Sequence, residues 1–256
     1  MNFDNQPESS KVPEVTLGFW GIKILATTLG ETGGDAVSMS MTLGYLVGTA
    51  IFLVFFIIAV AAQINSKQFR PFLHWTTIIA STTVGTTLAD YADRSLGIGY
   101  LGGSLLLATL LIATLAIWHR TFGSVDIASV SRPKTEAFYW LAIMLTQTLG
   151  TALGDWTADS AAIGYLGAAY IFSTLLSIIV AAYFFTRISR TLLFWCAFIL
   201  TRPLGAVVGD FLDKPIAQGG LEYSHYTATG VLLIAIAFLV IVLPQRAANN
   251  GLRPGE

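Results

Sequence analysis

A single cysteine in 256 residues, Cys196, excludes an intrachain disulfide and a cysteine-built metal cluster. Charge is scarce as well: 11% of residues are Asp, Glu, Lys or Arg, against about 25% in an average soluble domain. A soluble chain of this length has too much surface to cover with so few charges, and a disordered chain would be rich in them. The charges that are present nearly cancel, 14 Lys+Arg against 15 Asp+Glu. That leaves no basic footprint, and no nucleic-acid partner is expected. Enzyme signatures are missing too: there is no H-E-x-x-H, no glycine loop followed by Lys and no G-x-S-x-G. Neither an enzymatic activity nor a resident cofactor is expected. What remains is apolar, 54% of the chain. It reads as an all-α polytopic membrane protein whose first partner is the lipid bilayer.

A membrane-crossing helix takes roughly 20 mostly apolar residues. Eight such stretches are predicted, at 17–36, 42–63, 72–92, 98–118, 137–156, 163–186, 192–211 and 226–244. They make one membrane domain, 17–245, between a polar N-terminal tail, 1–16, and a polar C-terminal tail, 246–256. Residues 1–16 show no basic-apolar-small leader pattern. Lys67, Arg70, Arg120, Arg132, Lys134, Arg187, Arg190, Arg246 and Arg253 all fall on one side of this arrangement, with Lys11. The opposite connections carry only Arg94 and Lys214. The positive-inside rule then predicts cytoplasmic termini and external hairpin tips.

Internal repetition is the strongest signal. Trp20, Trp75, Trp140 and Trp195 each precede an aspartate by 15 residues: Asp35, Asp90, Asp155 and Asp210. Ten residues after each Trp comes Gly30, Gly85, Gly150 or Gly205, and fourteen after it Gly34, Ala89, Gly154 or Gly209. A further glycine follows 24 residues after the Trp, at Gly44, Gly99, Gly164 and Gly219, and Tyr45, Tyr100 and Tyr165 follow the first three of these. The motif is W-x9-G-x3-[GA]-D-x8-G, in repeats at about 17–66, 72–120, 137–190 and 192–245. Each repeat holds two spans, so four helical hairpins enter the membrane in the same direction, a parallel arrangement. The Trp spacings of 55, 65 and 55 place the extra length in the middle connector and suggest two pairs of repeats.

Four tandem two-span repeats with a repeated Trp and Gly-Asp motif resemble a small bacterial family of repeat membrane proteins of unknown function. The resemblance covers about 17–245. It implies the repeat count and a bacterial inner-membrane location, and it carries no activity and no assigned site.

On a helix turning about 100° per residue, the Trp, the second small residue and the Asp share one broad face. Small residues spaced by four let helices approach closely in lipid, so the odd-numbered helices are expected to meet centrally through them, inside a shell of even-numbered helices. The same stripes can equally make a homodimer. Fifteen residues of helix rise about 22 Å. With the tryptophans anchored at the cytoplasmic interface, the four Asp then lie in or just beneath the outer hydrocarbon. An ionised carboxylate at mid-bilayer costs roughly 3 kcal/mol or more, so four at one level call for water, a cation or a base. Seven residues after the Trp stand Thr27, Thr82, Gln147 and Arg202; eleven after it, Glu31, Thr86, Thr151 and Ala206. Arg202 stays protonated and needs a carboxylate from another repeat, Glu31 in the first instance. The four Asp have structural readings as well, as helix-end groups or as partners of Arg94, Arg202 and Lys214. His74, His119 and His225 read as interfacial, and Cys196 as core.

Asp35, Asp90, Asp155, Asp210 and Glu31 are the candidate metal ligands, with Thr27, Thr82, Gln147 and Arg202 completing the candidate binding face. Oxygen donors without Cys or His suit hard ions such as Mn²⁺, Mg²⁺, Ca²⁺ or H⁺. The expected function is a secondary transporter or channel for a cation, working by alternating access between repeats 1–2 and 3–4. The alternatives are a transporter of a small organic solute or anion held by Arg202, and a structural membrane protein without transport.

Overall fold

The computed structural model describes residues 10–160 and 163–248. The outer parts of both expected tails, with Arg253, lie outside them. The described residues form eight long helices: α1 (Leu17–Asp35), α2 (Tyr45–Asn65), α3 (Pro71–Asp90), α4 (Tyr100–Phe122), α5 (Pro133–Asp155), α6 (Gly164–Phe185), α7 (Arg190–Asp213) and α8 (His225–Val242). Local chemistry sets several starts. The side chains of Thr16 and Ser189 accept from the backbone N–H groups of Phe19 and Leu192. Pro71 and Pro133 begin helices where a missing N–H is harmless. In the first three repeats the α-helix ends on the motif Asp and continues as a five-residue π-helical turn, at Ala36–Ser40, Tyr91–Ser95 and Trp156–Ser160. The glycine that follows, Gly44, Gly99 or Gly164, has φ of 78°, 80° or 70°, and Gly219 has 87°. A side chain is strained there, which explains the recurrence of glycine.

Five helices are long and apolar enough to cross a membrane: α2, α4, α6, α7 and α8. The four even-numbered ones leave most of their surface uncovered, including Ile57, Ile112, Phe184 and Ile234. Such apolar surface suits lipid, and the chain is an all-α membrane protein.

Helices α1, α3, α5 and α7 form a closed ring in which each touches the next and α7 returns to α1. Their seams repeat in register. A Cβ added at Gly30 would collide with Thr82, at Gly85 with Gln147, at Gly150 with Arg202, and at Gly205 with Thr27. One turn further on, Gly34 faces Thr86, Gly154 faces Ala206, and Gly209 faces Glu31. Both steps advance in the same sense, so neighbours are parallel. Each even helix packs on the odd helix of the following repeat rather than on its own: α2 on α3, α4 on α5, α6 on α7, and α8 back on α1.

Five expectations change. The tryptophans are not interfacial anchors: Trp75, Trp140 and Trp195 are buried and Trp20 is half-buried. Each follows another aromatic or imidazole ring, Phe19, His74, Tyr139 or Phe194, and these rings form a continuous layer across one end of the ring. His74 is buried within it, not interfacial. Cys196 is only partly buried. The two-pair division is absent, because the four seams are equivalent. The extra residues of the middle connector instead make a 3-10 turn, Ile127–Ser129, that receives the N-terminal segment through Ser10 Oγ donating to Ile127 O at 2.7 Å. Val125 O from the same connector accepts from Trp195 Nε1 at 3.0 Å. The segment before α1 is thus partly docked rather than a free tail. Its residue Pro13 bridges Ala247, so both described ends lie on one side.

Candidate functional site

The axis of the ring is filled in layers. Beyond the aromatic rings lie Lys23, Ile78, Ile143 and Phe198, all buried, three residues after the respective Trp. The Lys23 ammonium sits over the Phe198 ring, 4.0 Å from its centroid, and has no hydrogen-bond partner among the described residues. A cation over an aromatic face gains some attraction, far less than water would supply.

The next layers hold Arg202. It is fully buried, and its guanidinium spans the axis. Nη2 donates to Glu31 Oε2 at 3.0 Å and to the hydroxyls of Thr86 and Thr151; Nη1 donates to Thr27 O at 3.3 Å. One side chain of the fourth repeat thereby binds the residue eleven after the Trp in each of the other three. The fourth repeat has Ala206 at that place, too small to compete. Thr86 Oγ1 also lies 3.2 Å from Glu31 Oε2. The expected Arg202–Glu31 pair is present.

Thr27 and Thr82 turn their hydroxyls into the seams rather than toward the axis. Thr27 donates to Thr201 O and Thr82 to Ala26 O, each at 3.2 Å. Each hydroxyl also lies 2.8 Å from a carbonyl of its own helix, Ile24 O for Thr27 and Ile79 O for Thr82. The Gln147 amide is buried with no hydrogen-bond partner among the described residues.

Outward of Arg202 lie the carboxylates, and they are not four equal members of a ring. Asp35 and Asp210 share the ammonium of Lys214, the latter at 3.1 Å, with Asp213 at 3.9 Å. Asp90 pairs with Arg94 at 2.7 Å. Asp155 has no ion pair or hydrogen bond from its carboxylate among the described residues, although it is buried. Glu31, Asp35 and Asp210 each offer an oxygen within 4.8 Å of the others'. Burial opposes the charge on Lys214, but Asp210, Asp35 and Asp213 outweigh it and hold its pKa above the ordinary lysine value.

The offset packing of the even helices supplies an outer rim. Tyr45, Tyr100 and Tyr165 come within electrostatic reach of Asp90, Asp155 and Asp210, each the aspartate of the next repeat. The fourth hairpin has no such tyrosine; α8 instead brings His225 to α1, its Nε2 4.0 Å from Asp35 Oδ2 and 3.7 Å from Asp213 Oδ2. His225 was read from sequence as interfacial and is part of this cluster. The signal that could have found it is its place, opening the second helix of the repeat that lacks a tyrosine.

Buried carboxylates with too few bases can take up protons or a cation. No curated protein and no solved structure is detectably similar to the chain. Four copies of one repeat match, at 18–69, 73–123, 138–189 and 193–246, and each carries one pair of small seam residues and one motif aspartate. By that match the protein belongs to the family built from the Repeat of Unknown Function DUF347.

Proposed function

We propose that this protein is a secondary transporter or channel for a cation, either a proton or a divalent metal such as manganese. It would act in a bacterial inner membrane, with all eight long helices crossing and both termini cytoplasmic. The basic residues of the connectors on the aromatic side support that orientation. One observation carries the reading: Glu31, Asp35, Asp90, Asp155, Asp210 and Asp213 are buried at one end of the ring, against Arg94, Arg202 and Lys214. Six acids against three bases leave a deficit of positive charge that protons or a bound cation would make up, and ionisable groups at membrane depth default to such roles.

The acidic end is the entry, and the Arg202 layer with the Lys23 and aromatic layers beneath it is the barrier. Passage requires the Arg202–Glu31 pair to part, which cation arrival or protonation at Glu31 favours by weakening it. The four equivalent seams favour a change at the axis over rocking of two halves. An anion held by Arg202 has less support, because its Nη2 is committed to Glu31, Thr86 and Thr151. A purely structural role accounts for Asp35, Asp90 and Asp210 through their bases, and gives Asp155 only the more distant Arg94, already paired with Asp90.

Reconstitution into liposomes loaded with a pH dye or a Mn²⁺-quenched dye tests this. Asp155→Asn is expected to cut flux at least tenfold in protein that still folds. Wild-type flux from all four single Asp→Asn variants, at Asp35, Asp90, Asp155 and Asp210, sinks the reading.

A further inference from the structure

The fourth repeat departs from the other three at its outer end. Helix α7 runs on as regular α-helix to Asp213, where the others turn π-helical after the motif Asp. Lys214 then leaves the helix in extended conformation and reaches across the α7–α1 seam to Asp35 of the first repeat. Its side chain is 11% exposed, more than any carboxylate it pairs with, which places this side chain at the mouth of the cluster.

Around that ammonium the geometry is that of a ligand set. One oxygen each of Asp35 and Asp213 and a ring nitrogen of His225 all lie within 4.8 Å of one another. Both carboxylate oxygens of Asp213 are fully buried without a hydrogen bond among the described residues, as is Oδ1 of Asp35. Among the described residues Asp213 Oδ1 has only the Lys214 ammonium at 3.9 Å and Oδ2 only the His225 ring at 3.7 Å, and buried carboxylate oxygens left without a hydrogen bond beside a ring nitrogen are unusual in a cluster that is only structural. His225 is oriented from behind, its Nδ1 2.7 Å from Ser40 Oγ. When Nδ1 donates to that hydroxyl, Nε2 presents its lone pair to the two aspartates, the outer-shell arrangement common for metal-bound imidazoles.

We propose that Lys214 is a tethered stand-in for a divalent first-row metal ion, whose site is formed by Asp35, Asp213 and His225 with Asp210 at its edge. Metal–oxygen and metal–nitrogen bonds of about 2.0–2.2 Å put neighbouring ligand atoms about 3.0–3.6 Å apart. The His225 nitrogen lies 3.7 Å from Asp213 and 4.0 Å from Asp35, so the set contracts as it closes on an ion. The charges agree: when ionised, Asp35, Asp210 and Asp213 carry three negative charges, of which Lys214 returns one and a divalent ion in its place two. The imidazole favours Mn²⁺, Fe²⁺, Co²⁺ or Zn²⁺ over Mg²⁺ and Ca²⁺, which prefer all-oxygen sites. Metal and ammonium exclude one another, so the metal binds by pushing Lys214 into the aqueous mouth. The proposal narrows the substrate class of the transport reading and rests on the same cluster, but it concerns binding and needs no flux.

The test uses the purified full chain in detergent and Mn²⁺ alone, followed by the loss of the free-ion electron paramagnetic resonance signal. Lys214→Met and Lys214→Gln are each expected to bind Mn²⁺ at least tenfold tighter than wild type. Adding Asp213→Asn or His225→Ala to Lys214→Gln is expected to remove that gain. In the wild-type protein, Mn²⁺ is expected to raise labelling of Lys214 by an amine-reactive reagent several-fold, read by mass spectrometry, which needs no variant to fold. Lys214 labelling unchanged at millimolar Mn²⁺ overturns the proposal. So does a tightened affinity that survives loss of His225 and Asp213. Binding as expected with no flux in liposomes leaves the site standing and removes transport; flux without any change at Lys214 does the reverse.

Discussion

The seams between the four central helices and the axis they enclose follow opposite rules. Along the seams the repeats agree: Gly30, Gly85, Gly150 and Gly205 each receive the residue seven after the Trp of the following repeat. Along the axis they disagree, with one Arg202, one Glu31 and one Lys23 among threonines and apolar side chains. Close approach of backbones is a steric demand that every interface makes equally, and only a missing side chain meets it. A charge on the axis needs one complement, and a second copy would repel it. Fourfold similarity thus marks what holds the ring together, and departures from it mark where charge is managed.

The largest expected effect breaks the axis. Arg202→Met strands Glu31 in a buried layer and is expected to cost about 3–5 kcal/mol of unfolding free energy. The double variant Arg202→Met, Glu31→Met returns most of it, as denaturant unfolding in micelles would show. A stable single variant would mean that the pair does not anchor the axis. Seam substitutions come next. Gly30→Ala, Gly85→Ala, Gly150→Ala and Gly205→Ala each force a Cβ into a neighbouring side chain and are expected to cost about 1–3 kcal/mol apiece. Similar losses at all four sharpen the equivalence, and a neutral Gly205→Ala would show that α7 and α1 do not close the ring.

Smaller effects separate the carboxylates from one another. Asp90→Asn removes a pair whose arginine is 37% exposed and is expected to cost at most about 1 kcal/mol. Asp155→Asn breaks no pair, and its unfolding midpoint is expected to stay level or rise. Smallest of all is Trp20→Phe, within about 0.5 kcal/mol. Trp75→Phe loses its bond from Nε1 to Gln245 Oε1 at 3.1 Å as well as buried volume, and is expected to cost about 1–2 kcal/mol. Equal losses at Trp20 and Trp75 would contradict the uneven burial of the aromatic layer.

Much of this was legible beforehand because it is periodic. The helices fall within a few residues of the expected stretches, and the glycines that make the seams were visible as small-residue stripes. Even the Arg202–Glu31 pair was foreseeable, since a guanidinium at membrane depth needs a carboxylate. What was not legible depends on ring closure. Nothing local says that α2 leaves α1 to lie on α3, so the approach of His225 to Asp35, 190 residues earlier, was invisible. The same closure covers three of the Trp residues: Trp140 meets Phe56 of α2, Trp195 meets Trp118 of α4, and Trp75 donates to Gln245 beyond α8. Thr27 and Thr82 belong to the expected binding face, and ring closure sets each of them opposite a glycine of the neighbouring repeat, Gly205 and Gly30.

The packing of each second helix on the next repeat has a consequence for where the chain can be cut. Since α8 completes α1, no repeat is complete by itself and the order of the four has no structural beginning. Pro13 and Ala247 already meet, so a short link between the ends with new termini opened near Gly123 would preserve every interface. Two separate halves, one of α1–α4 and one of α5–α8, each carry a free odd helix and a free even helix that fit the other half. Circularly permuted and co-expressed split forms should therefore assemble into the same ring, whereas either half alone presents two unfilled faces.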